Sequence, residues 1–362
     1  MKMMSEELPD KVEVRYTDNP LMLDPKTGKT APTETLVDMN WADVVFVANM
    51  LKYGGPYTAR VGGIAKQLGK FFHFDTDDLL TDLYEEHHLF DVYKDNKLGD
   101  VTKYLYSISD LTTVTQPKFA QRIRPFCGKV LAVVRNTLDY TLPAWNHPKK
   151  KTKFAKVGYA AGIHHRGDVK VFSSIPHITN QKVGKENVRW DFYGHPPPDP
   201  NKPKDGWEAK VWPEYLASLL KGFKGHKNYM VHYALPPDAY GVYCANMDIA
   251  IAPLEMNNFN DSKSDIKVAE CSRYKIPLVA SNVGCYSDTI INGETGYLLD
   301  PEAPKGEWVK VLTKLIKDKK HREELGNNLH DRTKDLFNGR KSAAMRYDLY
   351  IKAFKDTGFK YD

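Results

Sequence analysis

Short, continuously apolar runs recur along this chain, and helix-like segments separate them. In the first half the runs are Asp43–Ala48, Lys70–Phe74, Leu111–Thr115 and Lys129–Val134. A strand with no polar face is buried on both sides, the condition of a parallel strand covered by helices. The intervening segments fit that reading. Thr58–Leu68 is helical and stops at Gly69, and Val101–Ser107 and Lys118–Arg124 are further short helices. The alternation restarts at Ala155–Ala161 and continues through Val188–Gly194, Met230–Tyr233, Asp248–Pro253 and Leu278–Ser281. Strand and helix in alternation predict an α/β chain with parallel, doubly wound sheets.

The alternation breaks once, at His147-Pro-Lys-Lys-Lys-Thr-Lys153, which is polar, basic and marked by a proline. The domain boundary is placed there, giving one Rossmann-like domain over residues 1–147 and a second over 148–338. Trp308–Lys319 and Arg322–Leu336 are amphipathic helices that complete the second domain. The final helix, Lys341–Phe354, is left over, and the segment 339–362 is expected to pack back on the first domain. Residues 1–36, broken by Pro9, Pro20, Pro25, Gly28 and Pro32, are expected to be irregular. Two such domains face each other across a cleft at the carboxyl ends of their strands, where loops and helix starts meet polar ligands.

Composition narrows the classes. A length of 362 residues suits two domains, and the net charge of +6 permits contact with phosphates or DNA while requiring neither. The four cysteines, Cys127, Cys244, Cys271 and Cys285, form no CxxC pair or zinc spacing and read as small core fillers in a reducing compartment. No apolar run approaches the ~18 residues of a membrane span, and Met1–Asp10 is too polar for a secretory leader. The expectation is a cytoplasmic protein with no integral membrane segment; its oligomeric state is unknown.

The most informative stretch is Asp248-Ile-Ala-Ile-Ala-Pro-Leu-Glu-Met-Asn-Asn-Phe-Asn-Asp-Ser-Lys-Ser-Asp-Ile-Lys-Val-Ala-Glu270. It reads as a buried strand, a polar loop and a helix starting near Ser262 or Ser264, both good N-cap residues. The positive end of that helix would face the cleft and suit a phosphate. Lys263 and Lys267 are four apart and share a helix face, so two ammonium groups stand where a diphosphate would lie. Glu270 follows on the same helix, where a carboxylate accepts from both hydroxyls of a ribose.

These residues resemble the C-terminal domain of the GT4-like retaining glycosyltransferases of GT-B fold. The resemblance is carried by Leu235–Tyr240 before Ala245–Pro253, by the Ser-Lys-Ser-Asp-Ile-Lys-x-x-Glu run, by Lys275–Ser281 and by Asn292–Leu298. A weaker likeness extends upstream through Ala161–Asp168 and Trp190–Gly194. It implies two Rossmann-like domains about a central cleft, the first on the acceptor side and the second binding a nucleotide-sugar donor. It implies a hexosyl- or pentosyltransferase that moves a sugar from a nucleoside-diphosphate sugar, UDP-linked above others, to an acceptor hydroxyl with retention and with no required cofactor or metal. By the resemblance Glu270 is the second glutamate of the family's E-x7-E motif and holds the donor ribose. The first falls on Ser262, a departure that leaves Ser262 and Asp261 as candidates for the sugar contact. Arg166 stands where the family places a basic residue on the diphosphate, in a loop with Gly162, His164 and His165. Base recognition falls on the Met230–Leu235 stretch, including Tyr233.

In the first domain, Asp75-Thr-Asp-Asp78 follows a strand, and Asp75, Asp77 and Asp78 are candidates for donor-sugar or acceptor hydroxyls. The alternative is a cap on the following helix. Gly54 and Gly55 are candidates for a flexible loop near diphosphate and acceptor. Asn136 to Asp139, ahead of the linker, reads as structural. The chemistry expected of Arg166, Lys263 and Asp77 is catalytic: the first two offset charge growing on the leaving diphosphate. The expected acceptor is a glycan or lipid-linked glycan. A hydroxymethylated DNA base, with Lys149–Lys153 near the backbone, is the alternative acceptor. A non-catalytic nucleotide-sugar-binding protein is the alternative from another class.

Overall fold

The computed structural model describes residues 1–17, 33–49, 54–149, 151–196 and 207–361. Pro20, Pro25, Gly28 and Pro32, read above as chain breakers, lie outside the described residues, as do Lys150 of the linker run and the side chain of His164.

Two parallel sheets are present. The first holds β1 (Val44–Ala48), β2 (Phe71–Thr76), β3 (Leu111–Val114) and β4 (Val130–Val133), in that spatial order. The second holds β5 (Ala155–Ala160), β6 (Val188–His195), β7 (Tyr229–Tyr233), β8 (Ile249–Ala252), β9 (Leu278–Ser281) and β10 (Gly296–Leu299), in the order β10-β9-β8-β5-β6-β7. Every strand expected from the apolar runs is found. β10 was not anticipated, because Gly296-Tyr-Leu-Leu299 is short and follows a turn signal at Asn292-Gly293. The expected helix Thr58–Leu68 begins earlier, at Gly55, with Pro56 in its first turn.

The alternation of β2 decides which way its polar groups face. Phe72 and Phe74 are buried with Val61, Leu105 and Tyr106 of the helices Gly55–Gln67 and Leu98–Ile108. Phe71 points the other way, into a cluster with Leu111, Met4, Tyr350 and Phe354. His73 follows Phe71 by two residues and is hydrogen-bonded to the Tyr350 hydroxyl at 2.5 Å. Tyr350 and Phe354 belong to the last helix, Ala343–Thr357, so the C-terminal helix covers the back of the first sheet.

Met4 comes from a helix, Lys2–Glu7, in a segment expected to be irregular, and a second helix spans Glu34–Trp41. The first is too short for its periodicity to register in sequence; tertiary contacts with Ala343–Thr357 stabilise it.

Candidate functional site

In the second sheet β5 pairs with β6 on one side and β8 on the other, so the strand order reverses between β5 and β8. Connections leave such a point in opposite directions and open a crevice at the carboxyl ends of the strands. A cavity of ≈ 330 Å³ lies there, between the two domains. Asp77, Asp78 and Asn136 line it from the first domain, and Gly162, His165, Lys263, Ser264 and Lys267 from the second. Tyr159, Tyr193, Tyr240, Tyr243 and Tyr286 complete its wall. Asn136, read from sequence as structural, donates to Ser264 Oγ across the domain interface at 3.2 Å.

The loop after β8 is built differently from expectation. A short helix, Asn258–Asp261, comes first, and the helix bearing Lys267 and Glu270 runs Ile266–Arg273. Neither Ser262 nor Ser264 caps it; Asp265 occupies that position. The Asp265 carboxylate makes no cap because Arg135 of the first domain and Thr289 hold it. Ser262 is fully buried, donates to Asn258 O at 2.8 Å and accepts from Arg122 at 3.3 Å. Asp261 is likewise engaged, by Lys118 at 2.7 Å and Arg122 at 2.8 Å. Phe259, 1% exposed, is inserted into the first domain's core beside Tyr84 and His87. The loop after β8 therefore joins the two domains as well as edging the cavity.

Lys263 reaches into the cavity over the Phe259 ring, 4.4 Å from its centroid, and is 3.5 Å from Asp78 of the opposite domain. Lys267 donates to the Tyr240 hydroxyl at 2.6 Å and to Glu270 at 2.9 Å. Burial opposes its charge, but the Glu270 carboxylate and the Tyr240 hydroxyl outweigh it and hold the ammonium protonated. Asp77 accepts from the Asn49 amide at 2.7 Å. Asp75 points to the back of its sheet, takes a hydrogen bond from Thr113 and does not line the cavity. The three carboxylates of Asp75–Asp78 thus have three different partners. Among the described residues no cluster of three or more His, Cys, Asp or Glu side chains is placed to hold a metal ion.

His165 was singled out in sequence; its partner Asp168 was not. The ring Nδ1 and Asp168 Oδ2 are 2.7 Å apart, while Asp168 Oδ1 accepts from the Glu255 amide at 2.8 Å and from Asn260 at 3.0 Å. Asp168 thereby ties the loop after β5 to the loop after β8. Its burial pushes the carboxyl up to about 7, against the pull of those donors and Lys263. Burial, reinforced by Lys263 and Lys267, holds His165 neutral.

Five further expected site residues stand off the cavity wall. Arg166 donates to the Glu86 carbonyl of the first domain at 2.5 Å. Tyr233, at the end of β7, is 54% exposed. Gly54 and Gly55 start the helix Gly55–Gln67; Gly54 has φ +88°, and a Cβ on Gly55 would lie 2.8 Å from Leu98. Close packing is thus reason enough for glycine at Gly55. Glu270, 7% exposed, opens on a second cavity of ≈ 570 Å³, which shares Tyr240 with the first.

Two α/β domains of parallel sheets about a cleft are the GT-B architecture. Sucrose-phosphate synthase from Thermosynechococcus elongatus superposes with a TM-score of 0.64 at 15% identity, over 87% of this chain and 74% of that one. HepE of Anabaena, solved with UDP and glucose, superposes with a TM-score of 0.61 at 11% identity, over 88% and 80%. Residues 212–332 match the family model described as glycosyl transferases group 1. A 113-residue stretch of the chain is 28% identical to the capsular polysaccharide biosynthesis glycosyltransferase CapM of Staphylococcus aureus. That stretch is 30% of this chain and 27% of CapM. Among the described residues no helix is long and apolar enough to cross a membrane.

Proposed function

We propose that the protein transfers a sugar from a nucleoside-diphosphate sugar, UDP-linked, to a glycan hydroxyl with retention of anomeric configuration. One observation carries this. Lys263 and Lys267 flank the start of a helix at the strand-order reversal, in a cavity closed on its far side by Asp77 and Asp78. Two ammonium groups at a helix start meet a diphosphate, and the carboxylates opposite meet sugar hydroxyls. Glu270 stands about one turn beyond Lys267 on the same helix, where its carboxylate would accept from ribose hydroxyls.

The reaction follows from that placement. The bond from the anomeric carbon to the diphosphate oxygen breaks as the bond to the acceptor oxygen forms on the same face. The acceptor proton passes to the leaving diphosphate oxygen. Negative charge grows on that oxygen, and Lys263 and Lys267 offset it. Asp77, oriented by Asn49, and Asp78, beside Lys263, hold hydroxyls of the transferred sugar or acceptor. A glycan acceptor is favoured by the likeness to CapM, whose name places it in capsular polysaccharide synthesis.

The deciding experiment is a thermal-shift screen of UDP-, GDP- and other nucleotide sugars, followed by donor-turnover assays. A ligand at a hundred times its dissociation constant adds ~2.7 kcal/mol to stability. No shift with any nucleotide sugar rejects the donor assignment; a shift without turnover of donor in the presence of glycan acceptors leaves a binding protein.

A further inference from the structure

Lys263 and Lys267 both line the cavity, but they are held in different ways. Lys267 is fixed by the Tyr240 hydroxyl and the Glu270 carboxylate. Among the described residues Lys263 is paired with one carboxylate alone, Asp78 at 3.5 Å. Its ammonium lies instead over the face of the Phe259 ring, 4.4 Å from the centroid. We infer that Phe259 is a positioning residue for the donor diphosphate: it holds Lys263 at the cavity without neutralising it, and does so only while its ring is seated in the first domain. The inference rests on the donor reading proposed above.

Three observations carry it. The first is the setting of the ring. Phe259 follows β8 of the second domain, yet it is 1% exposed within the first domain's core, with Leu79, Phe119 and Ile123. The rings of Tyr84 and His87 lie 6.0 and 4.7 Å from it, tilted by 51° and 60°. Those contacts fix the plane of the ring. The plane in turn fixes where a cation sits, because the attraction is to the electron-rich face.

The second is the mounting of the short helix Asn258–Asp261. Asn257 caps it by accepting from the Asn260 amide at 2.8 Å. The first domain grips both ends: Asp82 accepts from Asn258 at 2.8 Å, and Gln116 donates to the Asp261 carbonyl at 2.7 Å. Lys263 stands two residues beyond the helix. Gly284 of the second domain, at φ +68°, packs against the Lys263 carbonyl, which would lie 3.1 Å from an added Cβ. The main chain of Lys263 is thus backed by the second domain, while its side chain is aimed by a ring anchored in the first.

The third is charge. A carboxylate that bound Lys263 as Glu270 binds Lys267 would compete with an incoming diphosphate. A ring face attracts the ammonium but carries no net charge, so the cation stays available to an anion.

The test is calorimetry of UDP and inorganic pyrophosphate on the full chain, with Tm recorded in parallel. Phe259 is replaced site-specifically by phenylalanines of increasing ring fluorination, which drain the face of electron density at nearly constant shape. Pyrophosphate affinity is expected to fall stepwise along the series, by about tenfold at the most fluorinated ring, with Tm unchanged. Phe259→Leu keeps an apolar plug without a ring face and is expected to lose at least as much. If the fluorinated series is flat while Lys263→Ala abolishes binding, the positioning role falls and the donor reading stands. If affinity falls only in step with Tm, or with leucine alone, the ring merely fills the core and the role falls. If the wild type binds neither UDP nor pyrophosphate, the donor reading falls and the inference with it.

Discussion

Asn49 Nδ2 donates to Asp77 Oδ1 at 2.7 Å from a backbone with φ +52°, a left-handed conformation that asparagine tolerates better than most residues. The amide of Asn49 also donates to Asp75 O at 2.7 Å, so the end of β1 is locked to the end of β2. One residue thus meets a backbone demand and aims a cleft carboxylate. Asn49→Gly keeps the backbone and loses the aim; turnover is expected to fall about tenfold with little change in Tm. Asn49→Ala loses both, adding about 1–2 kcal/mol of destabilisation. Equal turnover in wild type and Asn49→Gly removes Asp77 from the chemistry.

Lys263 and Arg166 are separable. Lys263 is in the cavity, and Lys263→Ala is expected to cut turnover by about 10²–10³-fold with the fold intact. Arg166 is held by the Glu86 carbonyl. Arg166→Ala is therefore expected to have the smaller kinetic effect. Wild-type rates in both variants reject the diphosphate assignment.

Glu270 holds Lys267 at 2.9 Å as well as facing the second cavity. Glu270→Ala is expected to weaken UDP by about tenfold in calorimetry, through loss of a charge-assisted pair of hydrogen bonds to ribose. Pyrophosphate should bind as before or more tightly, since Lys267 loses its competing carboxylate. Unchanged UDP affinity rejects the ribose role.

Asp261 joins the domains by accepting from Lys118 and Arg122, and its partners hold the carboxyl below the usual range although burial opposes this. Asp261→Ala leaves two cations facing each other and is expected to cost about 2–3 kcal/mol. The relative domain position should loosen as well, which small-angle scattering in the presence and absence of donor would register. A variant with unchanged Tm and scattering shows that the other contacts of the junction, Phe259 and the Arg135–Asp265 pair among them, hold it without Asp261.

Asp168 has its pKa raised by burial from its ordinary 3.8 to about 7. The folded state then binds more protons than the unfolded state between those values, so stability contributed at low pH is lost as pH rises towards 7. Asp168→Asn removes the titration. The Tm of the variant minus that of the wild type should climb from about pH 4 to 7 and level off above. A difference independent of pH means that the carboxyl titrates normally.

Much of this was legible in the chain. Continuous apolar runs announced nine of the ten strands among the described residues. The Ser-Lys-Ser-Asp-Ile-Lys-x-x-Glu run announced the donor helix, because local spacing sets which residues share a helix face. Its start was expected near Ser262 or Ser264, whereas Asp265, an equally good cap in isolation, holds the cap position. The Asp265 carboxylate is taken instead by Arg135, 130 residues away, and no local rule contains that contact. Ser262 shows the same limit: its place at the first glutamate of the E-x7-E motif suggested a sugar contact, but Arg122 and Asn258 consume it.

Periodicity and residue type by themselves determined the parallel α/β class and the grouping of Lys267 and Glu270 on one helix, whereas Lys263, expected on the same helix, lies in the loop ahead of its first turn. The class and the grouping depend on neighbours within a few residues, and sequence records them directly. Only the tertiary structure decided that Asn49 aims Asp77, that Asp168 ties two loops together and that Glu270 opens on a second cavity. Each of those facts joins elements that meet only after the sheets have assembled, so the energy that selects them is absent from any single stretch of chain.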